Sequence, residues 1–222
     1  MSLPTRPTTG WAARFTRNGE AVSRAHHSLL NFTGAFCVDL WVYPFTDQAV
    51  GYPVFFCKGN INSAWQAQID SDSGTKFNFR VKSSSTSYDA KDPTDIPRST
   101  WTRYTCIYDG SHVILQKNRV QVASTALAGA IDTNSSLLRF GDAESSGSNS
   151  YRGLIWNVAV FDHAPTSDEL DEGNDAPWVG DESGLVANWF HGSATGEDKT
   201  TNGLDLTMAS FDQWSRIRET PF

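Results

Sequence analysis

Apolar and polar residues alternate most clearly over Phe36–Tyr43, where Phe36, Val38, Leu40 and Val42 share one face and Cys37, Asp39, Trp41 and Tyr43 the other. Side chains on a strand point alternately to opposite faces, so this period of two predicts a strand with one fully apolar side. The segment Trp101–Tyr108 repeats the pattern, with Tyr104, Cys106 and Tyr108 opposite Arg103, Thr105 and Ile107. An apolar face backed by a mixed one suits a two-layer antiparallel sandwich. By the same reading, strands are expected at Trp11–Phe15, Ala35–Tyr43, Pro53–Cys57, Ala64–Ile69, Lys76–Lys82 and Trp101–Tyr108. They continue at His112–Gln116, Arg119–Val122, Leu137–Phe140, Ile155–Phe161, Gly184–Phe190 and Leu204–Met208. Turn signals separate them, among them Arg17-Asn18-Gly19, Asp72-Ser73-Gly74, Asp109-Gly110 and Lys117-Asn118. The one helical segment is short and begins after Thr166, which forms a capping box with Glu169. Ser83–Asp95 and Glu144–Ser150 read as polar loops. No internal repeat points to a propeller or solenoid. The pattern predicts one all-β domain, a jelly-roll sandwich over residues 11–208, with an N-terminal arm at 1–10 and a C-terminal tail at 209–222.

Composition narrows the function. The chain has 222 residues, a length that fits one sandwich of about 200–250 residues. Its net charge of −7 argues against coating nucleic acid, which needs Lys and Arg to neutralise phosphates. No apolar run approaches the roughly 20 residues of a membrane-spanning helix, so membrane insertion is not expected. Met1–Gly10 holds no apolar stretch, so no secretory signal is expected and synthesis in the cytoplasm is. Cys37, Cys57 and Cys106 are odd in number and lack CxxC spacing, which predicts buried free thiols formed in a reducing compartment.

Several runs, taken in order, carry a family resemblance. Ala35-Phe36-Cys37-Val38-Asp39-Leu40-Trp41-Val42-Tyr43-Pro44 resembles an early strand of laminin G-like, concanavalin A-like lectin domains. Val54–Gly59, Trp101–Gly110, Val113–Asn118, Leu138–Gly141, Tyr151–Phe161 and Gly184–Phe190 resemble later segments of the same family. The resemblance spans roughly residues 11 to 208 and implies the concanavalin A-like jelly roll. It also implies binding of calcium, glycans or protein partners at a rim of the sandwich. Where many members carry Asp after the first strand, this chain has Phe15-Thr16-Arg17-Asn18-Gly19-Glu20, with Glu20 the one acid beside Arg17. Asp198 matches an acidic family position.

Candidate chemistry is sparse. Asp70-Ser71-Asp72-Ser73-Gly74 has the first half of a calcium loop, which makes Asp70 and Asp72 the metal candidates, but Thr75 and Lys76 follow where a further acid is needed. The competing reading is a hairpin turn in which Asp caps backbone donors. Glu169-Leu170-Asp171-Glu172 resembles a glucanase carboxylate strand superficially, but a capping box places these residues on a helix, so no catalysis is expected. Trp65 and Tyr88 are candidate exposed sugar contacts, joined by Asp142 and Glu144 at the rim. Trp214, Arg216 and Arg218 are candidate partner contacts.

The expected function is therefore non-catalytic recognition of a glycan or protein surface. A fold that usually works outside cells, on a chain expected to fold in a cytoplasm, points to a bacteriophage virion surface. There it would decorate a capsid or act as an adhesin on a fibre, in a symmetric homo-oligomer if the contact repeats. The alternatives are a lectin-like module of a cell-surface protein and, behind it, a glycoside hydrolase of the same fold.

Overall fold

The structure, a computed structural model, describes residues 10–48, 51–60, 62–72, 75–143, 149–175, 178–190, 194–208 and 214–216. In chain order the strands are β1 (Trp11–Phe15), β2 (Val22–Arg24), β3 (Phe36–Pro44), β4 (Val54–Lys58), β5 (Trp65–Asp70), β6 (Lys76–Ser83) and β7 (Thr86–Asp95). They are followed by β8 (Thr102–Tyr108), β9 (His112–Lys117), β10 (Val120–Ala126), β11 (Leu138–Phe140) and β12 (Gly153–Phe161). One helix, α1 (Ser167–Asp175), precedes β13 (Leu185–Trp189) and β14 (Trp214–Arg216).

Two antiparallel sheets face one another. The eight-stranded sheet runs β10-β9-β8-β3-β12-β1-β14, with β13 also on β12, and the six-stranded sheet runs β2-β11-β4-β5-β6-β7. Strand β12 pairs with β3 along one side, while on the other it meets β1 over Gly153–Ile155 and β13 over Val158–Phe161. The change of partner falls at a bulge holding Asn157, whose φ of 49° turns its N–H onto the Phe190 carbonyl at 2.9 Å. An extra residue at this point lets one strand serve two neighbours.

The alternation has the predicted consequence. Phe36, Val38, Leu40 and Val42 are all fully buried in the core between the sheets, with Tyr104, Cys106 and Tyr108 beside them. The core is mostly aromatic at its centre, where Phe77 stacks on Tyr104 at 3.9 Å and on Phe55 at 4.8 Å. Each such side chain contributes roughly 1.5–3 kcal/mol when taken out of water, enough to decide which face turns inward. Cys37, Cys57 and Cys106 are buried and form no disulfide, and the Cys57 thiol donates to the Gly59 carbonyl. Burial first, and Asp39 second, push the Cys37 and Cys106 thiols well above their usual range.

The outer face of the eight-stranded sheet is covered as well. Cys37, Ile107, Ala159 and Phe161 pack under Leu170 of α1 and under Trp178. Asp39 and Arg103 pair there at zero exposure, with Arg103 Nε donating to both Asp39 oxygens at 2.9 and 3.1 Å. Thr105 Oγ1 and Trp178 Nε1 also donate to Asp39, at 2.8 and 3.1 Å, and Arg103 Nη2 donates to the Leu170 carbonyl. The helix starts as predicted: Thr166 N–H and Oγ1 both donate to Glu169, whose own N–H donates back to Thr166 Oγ1. The glutamate is thus a cap, and Asp171 pairs with Arg119.

Four expectations need correction. The supposed loop Ser83–Asp95 contains the ten-residue strand β7. Leu204–Met208 is not a strand; it meets the sheets through a bridge from Thr207 to Ser23 and through the Leu204 and Asp205 carbonyls, which accept from Trp189 Nε1 and Arg24 Nη1. Val22–Arg24, not anticipated, forms an edge strand on β11. Trp214–Arg216, expected in a tail, pairs with β1 and completes the sheet.

Candidate functional site

The six-stranded sheet carries the site on its outer face. In β5 the core takes Trp65, Ala67 and Ile69, so Gln66, Gln68 and Asp70 point outward; in β6 Phe77, Phe79 and Val81 leave Asn78, Arg80 and Lys82. Gln68 lies opposite Asn78, and Gln66 opposite Arg80. These outward residues are nonetheless covered: Gln66 is 1% exposed, Gln68 2%, and Asn78 not at all. Polar side chains are buried this way only where partners or a ligand satisfy them.

A hydrogen-bond relay orders the floor. Asn62 N–H donates to Gln66 Oε1, and Gln66 Nε2 donates to Gln68 Oε1. The relay ends at Gln68 Nε2, which makes no hydrogen bond among the described residues. Arg80 grips Asp89 through Nε at 2.6 Å and Nη2 at 2.9 Å, while Nη1 donates to Asn62 Oδ1. The bond to Asp89, ahead of the opposing effect of burial, raises the Arg80 pKa and keeps the guanidinium charged. Asn78 Nδ2 also donates to Asp89, but its Oδ1 has no partner.

Over this floor lies a cavity of about 270 Å³ lined by Tyr52, Asn62, Gln68, Asp70, Asp72, Arg80 and Asn149. Its wall is tied in by Tyr52 N–H donating to Asn149 Oδ1 at 3.1 Å, and by the Tyr52 hydroxyl donating to Asp72. That bond to Asp72 raises the Tyr52 pKa, with burial second. Burial pushes the Asp70 pKa up, but ion pairing with Lys91 and the Asp72 N–H at 3.0 Å outweigh it and leave the carboxyl below its usual range. The cavity thus offers amide and guanidinium donors, carboxylate acceptors and one aromatic ring.

Calcium does not fit the acids present. Asp70 is held by Lys91 and by the Asp72 N–H, and Asp72 by the Tyr52 hydroxyl. Among the described residues no three His, Cys, Asp or Glu side chains are grouped to hold a metal. At the position after β1 where the family resemblance implies acids, Glu20 turns back onto the N–H groups of Thr16 and Arg17. Asp198 is saturated by the N–H groups of Asn188, Thr200 and Leu204 and by the Thr200 hydroxyl. Calcium needs six to eight oxygen ligands, and these carboxylates are already engaged.

The structure separates the residues singled out from sequence. Asp70 and Asp72, the metal candidates, line the cavity. Trp65, expected to be exposed, is 2% exposed and packs on Phe36 and Phe56 in the core. Tyr88 is half-buried on β7 and packs against the same core. Asp142, expected at the rim, is fully buried and accepts the Ser150 hydroxyl, which itself receives the Gly19 N–H. Trp214 is half-buried against Phe190 and Arg216 lies on β14; Glu144 and Arg218 lie outside the described residues. Sequence reasoning missed Tyr52, Asn62, Gln68, Arg80 and Asn149. The available signal was the polar set Gln66, Gln68, Asp70 alternating with the apolar set Trp65, Ala67, Ile69.

The fold has known counterparts. A candidate carbohydrate binding protein from Bacteroides ovatus ATCC 8483 superposes with a TM-score of 0.73 at 16% identity, over 98% of this chain and 62% of its own. This chain therefore spans less than two thirds of that relative. A heptameric SAP-like pentraxin from Limulus polyphemus gives 0.61 at 12% identity, over 97% and 98% of the two chains. Domain 4 of AbnA, an extracellular arabinanase from Geobacillus stearothermophilus solved with arabinotriose, gives 0.51 at 20% identity, over 66% and 69%. At these identities the likeness is one of fold. No curated protein matches the chain in sequence. Residues 16–171, well over half the chain, match the family described as the concanavalin A-like lectin/glucanases superfamily, so the chain is a laminin G-like member of that superfamily.

Proposed function

We propose that the chain is a non-catalytic glycan-binding module and that the cavity over β5 and β6 is its sugar site. The observation that carries this reading is the buried polar floor, where Gln68 and Arg80 line the cavity beside Asp70 and Asp72. Sugar hydroxyls donate and accept at once, so they need acceptors and donors side by side. Ordinary small-molecule sites are mainly apolar and run to about 300–1,000 Å³; this one, at about 270 Å³, lies just below that range and is lined by amides, carboxylates, a guanidinium and one tyrosine. The carbohydrate-related counterparts of the fold support the same reading.

The test is glycan-array binding by the purified chain, with calcium and then with chelator. Binding is expected in both conditions, because the site needs no metal. Gln68→Glu removes the Nε2 donor while keeping the shape and the acceptor for Gln66 Nε2, and Arg80→Ala removes a charged donor. Hydrogen bonds to charged groups contribute about 1.5–3 kcal/mol, so Arg80→Ala should weaken binding by roughly 10- to 100-fold. A silent array with folded wild-type chain would overturn the reading. The virion-surface setting belongs to the same proposal and is supported by three buried cysteines that form no disulfide. Mass spectrometry of purified phage particles tests it, and absence of the chain from them would remove it.

A further inference from the structure

A second hollow adjoins the first. It has a volume of about 600 Å³, and its lining includes Asn62, Lys82, Ser85, Asp132, Asn134 and Ser136. Asn62 lines both cavities, and Arg80 and Lys82 stand two residues apart on the same face of β6. Alternate residues of a strand lie roughly 7 Å apart, so one cationic side chain serves each hollow.

The second hollow is built rather than loose. Asp132 accepts the N–H groups of Ser84 and Ser85 at 2.7 and 2.9 Å, and its own N–H donates to the Lys82 carbonyl at 2.7 Å. Asn134 and Ser136 are anchored from beneath by Lys58, which is 1% exposed and donates to Asn134 Oδ1 at 3.1 Å and to the Ser136 carbonyl at 2.6 Å. Asn62, Ser84 and Ser85 all hold positive φ, at 63°, 49° and 64°. At Ser84 and Ser85 this is the ordinary geometry of the two-residue hairpin turn between β6 and β7, while Asn62 holds it where the two hollows meet. The charges differ as well. Lys82 Nζ makes no hydrogen bond or ion pair among the described residues, and the carboxylate that shares its hollow, Asp132, is turned onto the Ser84 and Ser85 N–H groups, whereas the first cavity sets two carboxylates, Asp70 and Asp72, beside Arg80.

Resting on the glycan reading above, we infer that the two hollows form one groove for an acidic oligosaccharide. A neutral unit sits over Gln68 and Arg80, the chain crosses Asn62, and a carboxylate-bearing unit faces Lys82. A solvent-accessible ion pair contributes up to about 1 kcal/mol, so the preference for acidic over neutral chains should be about fivefold.

The experiment uses an array of paired acidic and neutral glycans one to six units long, probed with wild type and Lys82→Gln. Support would be tighter binding of acidic chains of two or more units than of single sugars or neutral partners. The acidic preference should vanish in Lys82→Gln. On wild type, raising salt from 50 to 500 mM should erode it too, since charge contacts of this kind are screened; this arm needs no variant to fold. Sugar binding that ignores both length and charge would overturn the groove and leave the single-sugar site standing. A silent array would remove both.

Discussion

Replacing Asp39 by Asn tests how the outer face of the eight-stranded sheet is held together. The carboxylate faces Arg103 Nε at 2.9 and 3.1 Å, and both side chains have zero exposure. Arginine stays protonated in proteins, so Asp39→Asn leaves a buried guanidinium facing an amide instead of an anion. For charges ~4 Å apart at an effective dielectric of ~20, the lost attraction is about 4 kcal/mol. Breaking one side of a buried pair ordinarily costs about 3–5 kcal/mol, which agrees. At roughly 2–4 °C per kcal/mol for a chain of this size, the melting temperature should fall by about 10 °C. Urea denaturation followed by tryptophan fluorescence measures the free energy directly, and Trp178 reports locally because its indole N–H donates to Asp39. The double replacement Asp39→Val with Arg103→Met should cost less than either single change, since it removes both charges together. A loss below about 1 kcal/mol for Asp39→Asn would refute the reasoning. So would a double variant whose cost is the sum of the two singles.

Gly141 holds φ +89°, and a Cβ there would sit 2.3 Å from the buried Phe15 ring; Gly141→Ala should destabilise by about 2–4 kcal/mol in the same assay. Thr166→Ala removes the helix cap and should cost about 1 kcal/mol. The Thr166 N–H, then its hydroxyl and His163, lower the Glu169 pKa. The stability Glu169 adds is therefore complete above its unfolded pKa near ~4.3 and is lost as pH falls through the lower folded value; Glu169→Gln should abolish that part of the acid profile. Burial pushes Lys58 down to about 8. The unfolded chain thus binds more protons between that pH and about 10.4, and stability should rise with pH across the interval. Denaturation at several pH values should show a shallower rise in Lys58→Met, and identical profiles would exclude the effect.

The strands visible in the sequence are largely the interior ones, and the reason is burial. Phe36–Tyr43 and Trp101–Tyr108 sit between neighbours in their sheet and pack on both faces, so each position is selected. The strands that were missed, β2, β7 and β14, all lie at sheet edges. An edge strand buries less and tolerates polar residues and proline; β7 reads Thr-Ser-Tyr-Asp-Ala-Lys-Asp-Pro-Thr-Asp, with Tyr88 and Ala90 its main inward residues. The site was harder still. A row such as Gln66, Gln68, Asp70 looks like a solvated face, and it becomes a cavity floor only because Tyr52 and Asn149, distant in sequence, stand over it. Trp65 was misjudged because its place beside a turn outweighed its place in the alternation, where it shares the inward face with Ala67 and Ile69.

The seating of β1 also sets an order of assembly. Ala13 pairs with Ile155 on one side and Trp214 on the other. During synthesis, then, β1 leaves the ribosome well before either of its neighbours, β12 and β14, has been made. The meander β4-β5-β6-β7 and the run β8-β9-β10 close between successive strands and can form early. Pairings between distant segments close slowly, so a nascent chain stopped short of residue 214 still carries an open β1 edge beside β12. That half-finished border is where a chaperone, or a second nascent chain, would first take hold.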